Sequence, residues 1–488
     1  MKRDTLVLIL LLWPTLFYAQ NIALNHSSTQ FDAFENPVQQ GFQKDLSRKY
    51  AITLFPHLFV TFAFEGDAET LFKRALYTRK ISKSNLPNLG ENHLNYFYGN
   101  SNIYLFNYRI FRTRNYNREL GFSLQLKEEG SSQISNETFT LLDDFRKFTR
   151  PAYTNPFNSS GLNQAYWQLG ATYRENYDDR WAFGAKLSLL NGIIYNNFSI
   201  TQSQLEVTQN TAYNADLTGS YISSFGFEKL KLDRLIPNLK NFGGAISLAS
   251  SYQHPKGYYF TLNLKDLGFI RWGKNTGHYN FTSHINGSAT DSSASKIFDQ
   301  IKNDAAVTEQ KKAFYSKIDS KIEFAASKEF GFYKPVVAFS KSIFNPHGQL
   351  ALLNNFSKNA FVLGVNPIYD FETKLNLGAQ IMVKSPNMEF YVGSEQVFPT
   401  YYLAKSYLKQ DESVGRGTPR MGAYFGINVK FGSKMQDIGT ADEIQGLNDK
   451  ETGFIYRMSN KERKKAQKQN KQIEKNRRKN DKRNNRRR

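Results

Sequence analysis

From about residue 48 to residue 431 the chain repeats one unit, a segment about ten residues long in which apolar and polar positions alternate. "ELGFSLQLK" places Leu120, Phe122, Leu124 and Leu126 on one side and Gly121, Ser123, Gln125 and Lys127 on the other. "YWQLGATYR" sets Trp167, Leu169, Ala171 and Tyr173 against Gln168, Gly170, Thr172 and Arg174, and "KLNLGAQIMV" sets Leu375, Leu377, Ala379, Ile381 and Val383 against Asn376, Gly378 and Gln380. "WAFGAKLSLL" and "YYFTLNLK" follow the same rule, and further segments begin near Tyr50, Ile103, Leu205, Gly243, Lys321, Lys334, Gly348, Asn359 and Met388. "MGAYFGINVKFG" (421–432) reads as the last strand. A helix would scatter these apolar residues around its axis, whereas a strand gathers them on one face. About fifteen strands are expected.

Alternation also suits a soluble sandwich or a propeller, so the apolar face needs an assigned partner. No helical pattern between the strands could cover it, and the opposite face is Gly, Ser, Thr, Asn, Gln and Lys, which suits a wet or plugged lumen. Aromatics stand at strand ends (Tyr104, Trp167, Tyr173, Trp181, Tyr258, Trp272), where an interfacial girdle needs them. The expectation is an all-β fold, a transmembrane antiparallel barrel of about 14 strands, within 12–16 because such barrels have even strand numbers. Short connections ("TRNYNR", "ENYDDR", "QHPKG", "KSPN") alternate with long stretches at 65–100, 129–164, 270–320 and 396–420, assigned to the extracellular side. The alternation of sides fails between 191 and 240 unless one segment there is miscounted. Residues 294–318 read as a helix over or inside the mouth.

The 40 Phe and 28 Tyr fit this picture, and the absence of Cys removes disulfides, thiolate metal sites and cysteine nucleophiles. Residues 1–20, with Lys2 and Arg3 before an apolar core from Leu6 to Trp13, resemble a secretory signal cut near 19–20, which implies export to the outer membrane. Residues 21–47 form an N-terminal segment, a candidate for the lumen; 48–432 form the barrel; 433–488 form a polar periplasmic tail. The formal charge is +21, and residues 461–488 hold fifteen Lys or Arg against Glu462, Glu474 and Asp481. That stretch carries almost no apolar residue, so it is expected to be disordered. Its expected partner is a periplasmic polyanion or envelope protein, since export argues against nucleic acid.

Three stretches resemble known barrels. "FENPVQQ" (34–40) resembles the early Asn-Pro motif of FadL-like barrels. "NLKDLGFIRW" (263–272) and "PNMEFYVGSEQVF" (386–398) resemble segments of a Bacteroidetes family of outer-membrane β-barrel proteins of unknown function, whose members close on a strand like 421–432. The resemblance spans most of residues 21–432 and implies passage or binding of small hydrophobic or amphipathic molecules through the membrane. The alternative is a non-transporting structural or secretion-linked scaffold.

Catalytic chemistry is not expected. "GFIRWGKNT" approaches a phosphate-binding loop, but Asn275 stands where Ser or Thr must reach the metal. His278 and His284 share a Ser-rich stretch without a nucleophile elbow, no histidine pair has metal-ligand spacing, and no cofactor is expected. By parity the lumen face carries Lys127, Arg174, Lys186, Lys265, Lys374 and Lys430 against Glu119 and Glu389. Six basic groups facing two acidic ones would favour anions.

Overall fold

The computed structural model describes residues 29–39, 48–82, 85–111, 118–208, 211–228, 236–237, 240–288, 294–371, 374–415 and 419–434. The expected signal and the basic tail lie outside the described residues. The described strands join one sheet: β1 (Arg48–Glu65), β2 (Leu94–Phe111), β3 (Arg118–Ser135), β4 (Ala152–Thr154), β5 (Ser160–Asn176), β6 (Trp181–Thr208), β7 (Ala212–Ser223), β8 (Phe242–Gln253), β9 (Tyr258–Trp272), β10 (Gly277–Ser288), β11 (Gln310–Lys311), β12 (Phe314–Lys317), β13 (Lys321–Lys328), β14 (Tyr333–Ser342), β15 (Gly348–Lys358), β16 (Phe361–Asp370), β17 (Lys374–Lys384), β18 (Met388–Ser394) and β19 (Arg420–Lys434). The helices are α1 (Gln30–Glu35), α2 (Glu69–Thr78), α3 (Asn136–Asp143), α4 (Ala294–Val307) and α5 (Val397–Lys409).

Fourteen of these strands close a ring. The pairing runs β1, β2, β3, β5, β6, β8, β9 and then β13 through β19, with β19 returning to β1. At the seam Phe431 stacks on Tyr50 with ring centroids 5.5 Å apart, and the Arg48 guanidinium donates to the Gly432 carbonyl at 2.9 Å. Closure leaves no edge in the ring, which lets a sheet stand in hydrocarbon.

The two faces follow the alternation. On β3, Leu120, Phe122, Leu124 and Leu126 face outward, while Gly121, Ser123, Gln125 and Lys127 are buried inside. Exposed Leu169, Leu187, Leu262, Val337, Leu352 and Ile381 continue the apolar exterior around the ring. At roughly 25 cal/mol per Å² such a surface is costly in water and is satisfied by acyl chains. Tyr173, Trp181 and Tyr258 stand exposed at the rim of short turns, as a girdle requires. Tyr104 and Trp272 do not. Tyr104 points into the lumen, and the Trp272 indole is buried, donating to Ser316 Oγ at 2.8 Å. Irregularities in the ladder cause this: one extra residue between Tyr104 and Phe106, and another between Leu264 and Leu267, each shift which side faces in. Trp167 is half-buried against Ala165, Ile193 and Ile194.

The count between 191 and 240 resolves in the same way. β6 pairs with β8 only as far as Asn191, although its pairing with β5 runs on to Ser199; its continuation pairs with β7 above the rim, and β7 pairs in turn with β10. One face of this extra sheet carries Leu205, Tyr213, Leu217, Phe281 and Ile285, covered by Phe145, Phe148 and α4 residues Ile297 and Ala305. The segment near Leu205 is therefore a strand outside the ring. The helix expected over 294–318 stops at Val307, where the Thr308 hydroxyl donates back to the Ala305 carbonyl at 3.0 Å, and "FYSK" continues as β12 against β9.

Candidate functional site in the lumen

Residues 29–39 lie inside the ring. α1 is only six residues long, too short to persist alone in water. Its start is fixed by reciprocal capping, with the Thr29 hydroxyl accepting from Asp32 N–H while the Asp32 carboxylate accepts from Thr29 N–H. Its end is fixed by Asn36, whose side-chain oxygen accepts from Val38 N–H at 3.2 Å, and by Pro37, which has no N–H to continue the helix. Local chemistry shapes the segment, and the barrel wall holds it.

Two side chains of α1 fill opposite kinds of pocket. Phe31 stacks on Phe59 of β1 at 4.0 Å and meets the edge of Tyr104 at 5.3 Å, with Tyr391, Tyr424 and Met382 completing the cluster. The neighbouring Glu35 enters polar surroundings: it forms an ion pair with Lys265 of β9 and accepts from the Tyr104 hydroxyl and from Asn102 Nδ2 at 2.8 Å. Asn263 Nδ2 donates to the Glu35 carbonyl at 3.2 Å, and the Tyr259 hydroxyl donates to the Val38 carbonyl at 2.8 Å. Glu389 of β18 accepts from Gln30 N–H at 2.8 Å. Glycines make the room. A Cβ on Gly121 would stand 2.7 Å from the Phe34 ring, and one on Gly184 would stand 2.6 Å from Pro37 Cβ.

Of the eight charged residues that parity assigns to the lumen, seven are buried in the structure. Lys127, Arg174, Lys186, Lys265, Lys430, Glu119 and Glu389 are buried inside the ring. Lys374 shares their parity but is the first residue of β17, with φ 61°, exposed at the rim. The inferred excess of positive charge does not survive. Arg174 pairs with Glu119 at 3.2 Å, Lys430 with Glu389 at 2.6 Å, and Lys127 with Asp266 at 2.5 Å. Lys265 serves both Glu35 and Glu323, the latter at 3.6 Å.

Three acids that pair with these cations are absent from the parity count, each for its own reason. Asp266 follows Lys265 directly and would face outward in a regular strand. The ladder irregularity gives it φ 51° and turns its carboxylate inward, where it also accepts from Gln168 Nε2 at 2.9 Å. Glu323 lies on β13, a segment located but not assigned faces. Glu35 comes from outside the wall altogether.

The lumen wall is also divided. On β13 to β16 the inward residues Ala325, Val336, Ala338, Ala351, Leu353 and Ile368 form one apolar cluster. The charged pairs centre on β3, β5 and β9, with Glu323 of β13 reaching across to Lys265 at the border of the two regions. Outside the ring, His284 Nδ1 pairs with Asp216 at 2.6 Å, and His278 packs edge-on to Phe314 at 5.3 Å. Six residues of extended strand separate the two histidines, roughly 20 Å, so they do not form one site. Among the described residues no three His, Asp or Glu groups are arranged to hold a metal ion.

Residues 60–395 match the family described as "Family of unknown function (DUF5723)". The chain belongs to that family. No curated protein matches this DUF5723 member. Among solved structures it is similar to the TodX monoaromatic hydrocarbon channel in its deltaS2 mutant form, at 8% identity, over 86% of this chain and 96% of that one, with a TM-score of 0.45. It is similar to the Pseudomonas putida toluene transporter TodX at 9% identity, covering 84% and 92% with a TM-score of 0.40. It is also similar to a Pseudomonas aeruginosa FadL homologue at 10% identity, covering 86% and 100% with a TM-score of 0.38.

Proposed function

We propose that this DUF5723 protein is an outer-membrane channel for small hydrophobic or amphipathic molecules, with residues 29–39 as its gate. The observation that carries the reading is Phe31 in its aromatic pocket, on a lumen wall that continues into the apolar cluster of β13 to β16. A water-filled pore has a polar lining throughout. Here a phenyl ring of the chain itself fills a site whose chemistry suits a hydrophobic solute, so solute and plug compete for one pocket. Because Lys127, Arg174, Lys265 and Lys430 stand beside acids, we infer a preference for neutral solutes over anions.

The alternative, a non-transporting scaffold, draws on the same plug: its polar anchors at Glu35, Gln30 and Val38 would then close the barrel permanently. The chain has no native Cys, so Phe31→Cys with Phe59→Cys introduces a unique thiol pair across the stacked rings. In liposomes, uptake of a hydrophobic aromatic probe should fall when this pair is oxidised and return on reduction. Uptake indifferent to the redox state of the lock, or no uptake by the unmodified protein, would overturn the channel reading.

A further inference from the structure

α5 is apolar on the side that should be polar. It packs inward through Leu403, buried with Phe62, Phe64, Leu71, Phe72 and Phe97, and Thr400 Oγ1 accepts from Gly422 N–H at 3.1 Å. A helix seated this way ordinarily turns charged residues to solvent. The side of α5 away from Leu403 instead carries Phe398, Tyr401 and Leu408, which are 56%, 57% and 80% exposed. Lys405 lies among them, its ammonium 5.6 Å from the Tyr401 ring, and Lys409 follows in the last turn.

The position of the helix says what covers this face. α5 packs against the start of β17, where outward Leu375 is 73% exposed at the rim of long connections. The apolar exterior of the ring therefore continues onto the helix. Tyrosine, phenylalanine and lysine together are the residues that settle at a membrane–water interface, with rings among the headgroups and ammonium groups at the phosphates.

We propose that α5 is an interfacial helix that lies in the headgroup layer beside the barrel, with Phe398, Tyr401 and Leu408 inserted and Lys405 and Lys409 on lipid phosphates. The inference rests on the membrane-barrel reading and adds a lipid contact made by a loop. It belongs to the outer rim and does not involve the lumen plug.

The test uses the full chain in nanodiscs of phosphatidylcholine, with and without phosphatidylglycerol. Single spin labels are placed at Leu408→Cys, at Ser413→Cys as a solvent control and at Leu169→Cys as a hydrocarbon control. The label at 408 should collide with oxygen more, and with a water-soluble nickel chelate several-fold less, than the label at 413. Anionic lipid should deepen that difference, and Lys405→Gln with Lys409→Gln should remove the deepening. A 408 label as open to the nickel chelate as the 413 label overturns the proposal. If the 169 label is equally open, the membrane reading has failed with it; if 169 is protected and 408 is not, only the interfacial helix falls. A 408 label whose contact with lipid is displaced on adding the aromatic probe would make α5 a ligand-capture surface and would also overturn the proposal.

Discussion

Glu35 shows how much rests on one side chain. Its carboxylate has left water entirely and is balanced by the Lys265 ammonium together with Tyr104 and Asn102. Removing one partner of a buried pair costs about 3–5 kcal/mol, because the other charge stays buried alone. Lys265→Met should therefore favour release of residues 29–39 from the lumen. With Ala33→Cys as a buried reporter, thiol labelling should speed by roughly a hundredfold, the equivalent of about 3 kcal/mol. Adding Glu35→Gln should restore part of the protection, since only Glu323 then lacks its cation. Labelling unchanged by Lys265→Met would show that the pair does not hold the plug. The sequence exposed Lys265 through strict alternation, but it could not expose Asp266 beside it. Parity is a property of regular strands, and an inserted residue is visible only in the ladder.

At the scale of elements, the plug and the loops are positioned by separate devices. α1 fits because β3 and β6 give up side chains at Gly121 and Gly184. Gly184→Val should expel the segment while leaving the barrel folded, seen as faster labelling at Ala33→Cys with an unchanged heat-dependent gel shift. Gly244→Val is the control: the nearest atom to its Cβ, the Ser188 carbonyl oxygen, is 3.8 Å away. The loops use an ionic clasp. Glu412, after α5, accepts from Arg74 of α2 at 2.5 Å and from the Tyr77 hydroxyl. The Arg74 hydrogen bond first, and Tyr77 second, pull the Glu412 carboxyl down from 4.5 to about 2. A carboxyl lowered in this way stabilises the clasp above about 4.5 and loses that contribution as pH falls towards 2. Pepsin cleavage near residues 411–415, taken relative to Glu412→Gln at each pH so that pepsin's own titration cancels, should therefore rise towards equality across that window. The clasp was illegible in the sequence because its partners are 338 residues apart. The strands were legible because each declares its two faces within ten residues.

For the molecule as a whole, the ring count follows from which segments pair, and that is not a local property. β6 reads as two strands in the sequence because its ring portion and its upper portion each alternate, yet it is one chain path that pairs both in the ring and in the extension above it. Residues 21–47 are a candidate for the lumen from the sequence, but the same nonlocality kept the plug's contacts out of reach: "QFDAFE" is short and mixed in character, and only the wall around it explains the placement of an aromatic and an acid four residues apart. The balanced ion pairs of the lumen carry a consequence for transport. An interior in which Lys127, Arg174, Lys265 and Lys430 each sit beside an acid sets up less long-range potential along the axis than those cations alone would. For the neutral solutes proposed above, a Donnan voltage between periplasm and medium would neither draw the molecule inward nor hold it back. Net flux would follow the concentration gradient alone, and the cell could accumulate such a molecule only by consuming or trapping it on the inner side.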